Sequence, residues 1–165
     1  MVTPDQAALE QALHLLHNDG VTPAERIHAV WKTGHWPASV FEHFACDCAE
    51  RALTNEQNKG LEPDSDYWET LAIKRRWLRQ EASDDELQQA LAKAQLLSHR
   101  ASIDKILYEA AAAVSDALRG PEYAVRAVAW AVRTTPPKNE TSPQQSEAQW
   151  QLSHLEQMLK EAMPA

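Results

Sequence analysis

Four times along the chain a hydroxyl side chain is followed three residues later by Glu or Gln: Thr3 with Gln6, Thr22 with Glu25, Ser83 with Glu86 and Ser142 with Gln145. At a helix start the hydroxyl oxygen accepts from the N–H three residues on, and the Glu or Gln side chain returns the bond to the cap's own N–H. In three of the four, proline stands at the first helical position (Pro4, Pro23 and Pro143), where its missing N–H costs nothing. Apolar residues between these starts recur at three- and four-residue spacings, with no strand-like alternation and no fixed-period repeat. The pattern predicts an all-α, single-domain bundle of about seven or eight helices spanning residues 1–165.

The first helix carries Leu9, Ala12, Leu13 and Leu16 on one side and should stop at Asn18-Asp19-Gly20, with Gly20 left-handed. A short second helix runs from Pro23 to about residue 33 and closes at Gly34, ahead of a His35-Trp36-Pro37 turn. A central helix over about 38–54 and a polar loop over 55–63 follow. The next helix, about 66–81, should bury Trp68, Leu71, Ala72 and Leu78. From 84 to 119 the pattern reads as one long helix or as two divided near Ala101-Ser102, where Ser102 would cap the second. Pro121 opens a helix rich in small residues. Residues 134–142, with Pro136 and Pro137, read as a flexible connection, and a final helix over about 143–162 presents Trp150, Leu152, Leu155, Met158 and Leu159 inward. Phe44, Trp77, Leu78, Trp130 and Trp150 are the expected core.

With 165 residues, 44% of them hydrophobic, the chain can bury roughly two-thirds of its unfolded surface. The start, Met1-Val2-Thr3-Pro4-Asp5, has no secretory character, and no segment approaches the ~20 apolar residues of a membrane span. A cytoplasmic protein with no membrane partner is expected. Cys46 and Cys48 point to different sides of a helix and cannot bridge each other, which fits reduced thiols. A net charge of −8 argues against nucleic acid and for a basic protein partner.

The residues richest in chemistry lie in 41–53. Phe41, Phe44, Ala45, Cys48, Ala49, Ala52 and Leu53 share an apolar side, while Asp47 and Arg51 stand four apart, as do Cys46 and Glu50. Asp47 and Arg51 can form a solvated pair, contributing about 0.3–0.5 kcal/mol. Alternatively, Asp47 sits at the edge of the buried side and orders a neighbouring helix or a partner surface through charge-assisted hydrogen bonds. His43 and Asp47 have the spacing of an acid–base pair. Glu10, His14 and His17 have helical metal-ligand spacing but lie outside the apolar side of their helix, so a solvated face is expected there. The cluster Lys74, Arg75, Arg76 and Arg79 is flanked by Glu69, Glu81, Asp84, Asp85 and Glu86, which predicts neutralisation within the fold. Trp31 and Trp36 border a turn, where an indole can serve as a binding anchor. No cofactor or metal is expected.

The order Asp47-Cys48-Ala49-Glu50-Arg51 resembles the alanine-rich, all-helical immunity proteins encoded beside bacterial polymorphic toxins. Three further segments match in that family's order. Pro63-Asp64-Ser65-Asp66 and the helix end Arg76-Trp77-Leu78-Arg79-Gln80-Glu81 are similar to its acidic loop and "A-W-L/V-R-G-E" helix end. The alanine-dense stretches 110–113 and 124–131 come next, and Gln149-Trp150-Gln151 leading to Leu155 and Leu159 is similar to its terminal "W-Q…L…L" helix. Together these cover about residues 36–160. Gln80 departs from the family's usual glycine, the family's small-residue and histidine patch is thinner here, and Cys46 is an additional thiol. The resemblance implies a non-enzymatic bacterial immunity protein, like an antitoxin, that occludes the active or substrate-binding surface of a cognate toxin. The acids best placed to meet a basic toxin are Asp64 and Asp66, then Glu81, Asp84 and Asp85, with Trp36 as an anchor. The competing expectations are a helical metal-binding protein or enzyme using His43, Cys46, Asp47 and Glu50, and a general helical adaptor.

Overall fold

The computed structural model describes residues 3–134 and 143–165, with the side chains of 143–146 left aside. Among the described residues the chain is all-helical: α1 (Gln6–Leu16), α2 (Pro23–Lys32), α3 (Ala38–Asn58), α4 (Ser65–Leu78), α5 (Asp84–Asp104), α6 (Tyr108–Ala117), a 3-10 turn (Pro121–Tyr123), α7 (Ala124–Arg133) and α8 (Pro143–Glu161). No described helix is long and apolar enough to cross a membrane.

Two of the expected capping boxes form in full, at Thr22 with Glu25 and at Ser83 with Glu86. The one expected at Thr3 does not. Asp5 caps α1, its Oδ1 accepting from the Ala8 N–H at 2.8 Å, because a carboxylate suits the positive end of a helix better than a hydroxyl. The cap expected at Ser142 lies outside the described residues, as does the connection over 135–142.

Gly20 is not left-handed. Its N–H instead binds Asn18 Oδ1 at 3.0 Å, and the left-handed glycines are Gly34 and Gly60. Gly60 closes α3, which runs a full turn past its expected end because Glu56 is buried and paired with Lys59 at 2.9 Å. The 84–119 stretch is two helices, but α5 passes straight through Ser102, whose hydroxyl donates back to the His99 carbonyl at 2.7 Å. The break falls at 105–107, with Lys105 and Leu107 both left-handed.

α3 is the spine, packed against α4, α6, α7 and α8. Its expected apolar side is buried throughout. Ala110, Ala111, Ala112, Ala113 and Ala117 of α6 and Ala124, Ala127 and Ala131 of α7 are buried too, so these backbones approach closely and leave little room for indoles. Trp77, Leu78, Trp130 and Trp150 are therefore half-buried at helix edges rather than in the core, and only Phe44 of the expected set is fully inside. One apolar cluster runs through all eight helices.

The α4 inward face is rotated from expectation. Tyr67, Thr70, Leu71 and Lys74 are buried, while Ala72 is exposed. The side chain of Lys74 is 1% exposed, and its Nζ binds Glu42 Oε1 at 2.9 Å and the Arg119 carbonyl at 3.0 Å. A charge on the inward stripe is tolerated there because both its partners are built in.

Candidate functional site

Asp47 and Arg51 do not pair with each other. Asp47 stands where the apolar side of α3 meets solvent and uses both carboxylate oxygens on other helices: Oδ1 binds Arg75 Nη1 of α4 at 2.8 Å, and Oδ2 binds His154 Nε2 of α8 at 2.7 Å. Glu50 completes the Arg75 clamp at 2.6 Å. Arg51 reaches Glu147 of α8 through Nε at 3.0 Å and Nη2 at 2.7 Å, a two-point contact on a carboxylate only 3% exposed. Its guanidinium also lies 3.9 Å from the Trp150 ring centre, and Trp150 stacks on His154 at 4.6 Å and 15°. The side chains thus close a loop, Asp47 to His154 to Trp150 to Arg51, that ties α8 to the spine, while Arg75 ties α4 to it.

Beside this loop runs an open polar groove of about 510 Å³ lined by Asp47, Glu50, Arg51, Thr54, Asn55, Asn58, Trp150 and His154. Asn55 is held by its amide donating to Thr134 Oγ1 at 3.0 Å. The groove offers an aromatic face, amides, a hydroxyl and carboxylate edges, which are groups suited to recognising a polar partner.

Cys46 and Cys48 flank Asp47 on α3, both fully buried and unbridged. Burial pushes the Cys46 thiol up to about 12, against the pull of Arg75 and Lys74. Burial likewise holds Cys48 well above the usual thiol range. Neither is an activated nucleophile or a ready metal ligand. Burial, assisted by Arg75, lowers the pKa of His43, so its imidazole is neutral at pH 7. Of the set His43, Cys46, Asp47 and Glu50, Cys46 is therefore sealed in the interior, Asp47 and Glu50 are engaged by Arg75, and His43 is half-buried. Among the described residues no group of three or more His, Cys, Asp or Glu is placed to hold a metal ion; His17 of the Glu10, His14 and His17 stripe instead binds Glu156 at 3.0 Å.

The basic cluster is neutralised within the fold: Lys74 by Glu42, Arg75 by Asp47 and Glu50, Arg76 by Glu86 at 3.8 Å, and Arg79 by Glu81 at 3.0 Å. Contacts within the fold also occupy most of the acids expected to face a partner, Glu81 among them. Asp64 caps α4, Asp66 holds Lys93 at 2.9 Å, and Asp84 accepts from the Trp77 indole at 2.8 Å. Asp85 is exposed and, among the described residues, has no such contact. The Asp64/Asp66 and Glu81/Asp84/Asp85 groups also stand at opposite ends of α4, whose 14 residues separate them by about 21 Å. Trp36, expected as a surface anchor, is 3% exposed with its Nε1 unpartnered, because the turn before α3 folds it under the helices. Trp31 is half-buried and packs edge-on against Phe41 at 5.2 Å.

Sequence reasoning missed Glu147 and His154. Their signal was present: Glu147, Gln151, Leu155 and Leu159 form a four-residue stripe that is buried in full, with Trp150 and His154 on its flank. Compared with protein-family models, with curated proteins and with solved structures, the chain matches none.

Proposed function

We propose that this chain is a non-enzymatic immunity protein that binds a cognate bacterial toxin in the cytoplasm and occludes its active or substrate-binding surface. One observation carries the reading. Segments that carry the family resemblance, about 100 residues apart in sequence, meet at a single groove: Asp47, Glu50 and Arg51 from the first, and Trp150 from the last. Arg75, one residue before the matching Arg76-Trp77-Leu78-Arg79-Gln80-Glu81 helix end, clamps both carboxylates. A surface whose polar groups are locked by neighbouring helices loses little freedom on binding, which favours tight association. The net charge of −8 adds a long-range attraction for a basic toxin.

The test fills the groove without touching its ion pairs. Thr54 and Asn58 line it, and both are exposed. Thr54→Trp and Asn58→Trp should each weaken binding to the toxin at least tenfold while leaving the melting transition in place. Wild-type affinity in both variants would place the toxin contact elsewhere, and failure of the wild type to bind the co-encoded toxin would remove the reading itself.

A further inference from the structure

α5 and α6 pack against each other across the turn at 105–107, and a polar groove of about 400 Å³ runs between them. α5 supplies Gln95, Ser98, His99 and Ser102, which the helical repeat puts on one side. α6 supplies Tyr108 and Ser115, and Arg119 follows just past its end. Among the described residues that line the groove there is no carboxylate and no aliphatic side chain. On a chain carrying −8, a polar groove without an acid is a local exception to the prevailing charge.

Ser115 is the most informative member. It is 6% exposed, yet its hydroxyl makes no hydrogen bond among the described residues. A hydroxyl inside a helix commonly donates to a carbonyl one turn back, as Thr54 does to Glu50, Thr70 to Tyr67 and Ser102 to His99. Ser115 makes no such bond, and its Oγ opens onto the groove instead. Burying a hydroxyl without a partner is costly, so an acceptor placed in the groove would stabilise the site.

Arg119 sets the sign of that acceptor. Of the arginines without a salt bridge among the described residues, Arg100, Arg119 and Arg133, it alone is half-buried rather than exposed. Its guanidinium rests over the Tyr123 ring at 4.8 Å, which orients the plane and leaves N–H edges free. Asp116, whose carboxylate feels the Arg119 charge, does not line the groove and is bound by Arg126 at 3.5 Å. The carbonyl end of α6 is covered by Lys74, whose Nζ takes the Arg119 carbonyl at 3.0 Å. An arginine has donors only, and the Gln95 amide, the His99 ring and the Ser98 and Ser115 hydroxyls can all donate into the same space. Donors on several sides suit a phosphate group, with its three acceptor oxygens, better than a planar carboxylate.

The other end of the groove is aromatic. Along α6 Tyr108 lies about 16 Å from Arg119, and its half-open ring meets Trp130 edge-on at 5.4 Å. A lone phosphate ion would leave that end empty, whereas the organic part of an ester can reach toward it. Past Tyr108 the neighbouring hollow holds Lys105 and Glu109, one charge of each sign, so it adds no net repulsion.

We propose that the α5–α6 groove binds a small phosphate monoester, with its phosphoryl group at Arg119 and Ser115 and its organic end toward Tyr108. The site shares no residue with the Asp47–Trp150 groove, so the inference is independent of the toxin reading. Calorimetric titration of the whole chain with phenyl phosphate and with inorganic phosphate tests it. Phenyl phosphate should bind saturably at one site per chain, at least tenfold tighter than inorganic phosphate. Arg119→Met should weaken it at least tenfold and Ser115→Ala about threefold. Gln95→Glu, at an exposed position, puts a carboxylate into the groove and should abolish binding with the melting transition unchanged. Arg133→Met, at an exposed arginine outside the groove, should bind as the wild type does. Absence of saturable binding of both probes at millimolar concentration overturns the proposal, as does binding that survives Arg119→Met or Gln95→Glu. An equal loss in Arg133→Met would show general attraction of anions and overturns it too. Phenyl phosphate no tighter than inorganic phosphate overturns the ester assignment in favour of the free ion.

Discussion

Asp47→Ala removes one of the polar contacts that fasten α4 to α3 and one of those that fasten α8 to it. Hydrogen bonds to charged groups contribute about 1.5–3 kcal/mol each when well buried. Asp47, Arg75 and His154 are each about a quarter exposed, so solvent reduces each contact to about 1 kcal/mol. Arg75 keeps Glu50, and His154 keeps its stack on Trp150, so neither helix detaches. The expected loss is therefore about 2 kcal/mol, several times what an exposed Asp47–Arg51 pair would contribute. For a domain of this size that corresponds to a melting point lower by about 4–8 °C. Urea denaturation with an unchanged slope measures it directly. A cycle with His154→Ala isolates the α3–α8 contact, for which a coupling of about 1 kcal/mol is expected. A loss for Asp47→Ala of less than about 0.5 kcal/mol, within the range of ordinary surface substitutions, would refute the reasoning.

Gln80 sits at φ 62 just past α4, where its N–H binds the Trp77 carbonyl at 2.9 Å and the Glu81 N–H binds Arg76 at 2.7 Å. This hydrogen-bond pair is a helix stop that favours glycine, so Gln80→Gly should stabilise the fold by about 0.5–1 kcal/mol in thermal melts, and no gain would count against the assigned geometry. Lys74→Met strands the Glu42 carboxylate and should cost about 3–5 kcal/mol, with part of the loss recovered in Lys74→Met/Glu42→Gln; equal stability of single and double variants would show that the buried pair does not matter. Both thiols should resist a disulfide-exchange reagent at pH 8 until the protein unfolds, and rapid labelling of native protein would contradict their burial. Because folding raises the Cys46 pKa from 9.0 to about 12, its contribution is intact below pH 9 and lost as pH rises from there to about 12; Cys46→Ala should fall less steeply in that window, and an identical alkaline slope would refute the linkage.

The helices were legible because their starts and stops are chemical. Thr22-Pro23-Ala24-Glu25 and Ser83 with Glu86 signal helix starts whatever packs around them, and both form as read. Spacing also identified the buried side of α3, since an apolar stripe has one place to go. It could not say which way the charges at the stripe's edge would turn. Asp47 and Arg51 had each other within reach, but Arg75, His154 and Glu147 come from helices whose approach depends on the whole core. The tryptophans misled for a related reason. Their size suggests the interior, but alanines on α6 and α7 draw the backbones too close to admit most indoles, and the one buried deepest, Trp36, comes from a turn. Lys74 was read as neutralised by the acids that flank its cluster in sequence, because its actual partners, Glu42 and the Arg119 carbonyl, are distant in sequence.

The direct test of the immunity reading is a titration of the co-encoded toxin's activity with the purified chain. An immunity protein drives that activity to zero in proportion to its concentration, ending at one chain per toxin, with an association rate that falls as salt screens the −8 charge. Toxin activity that stays unchanged in the presence of excess chain would contradict it.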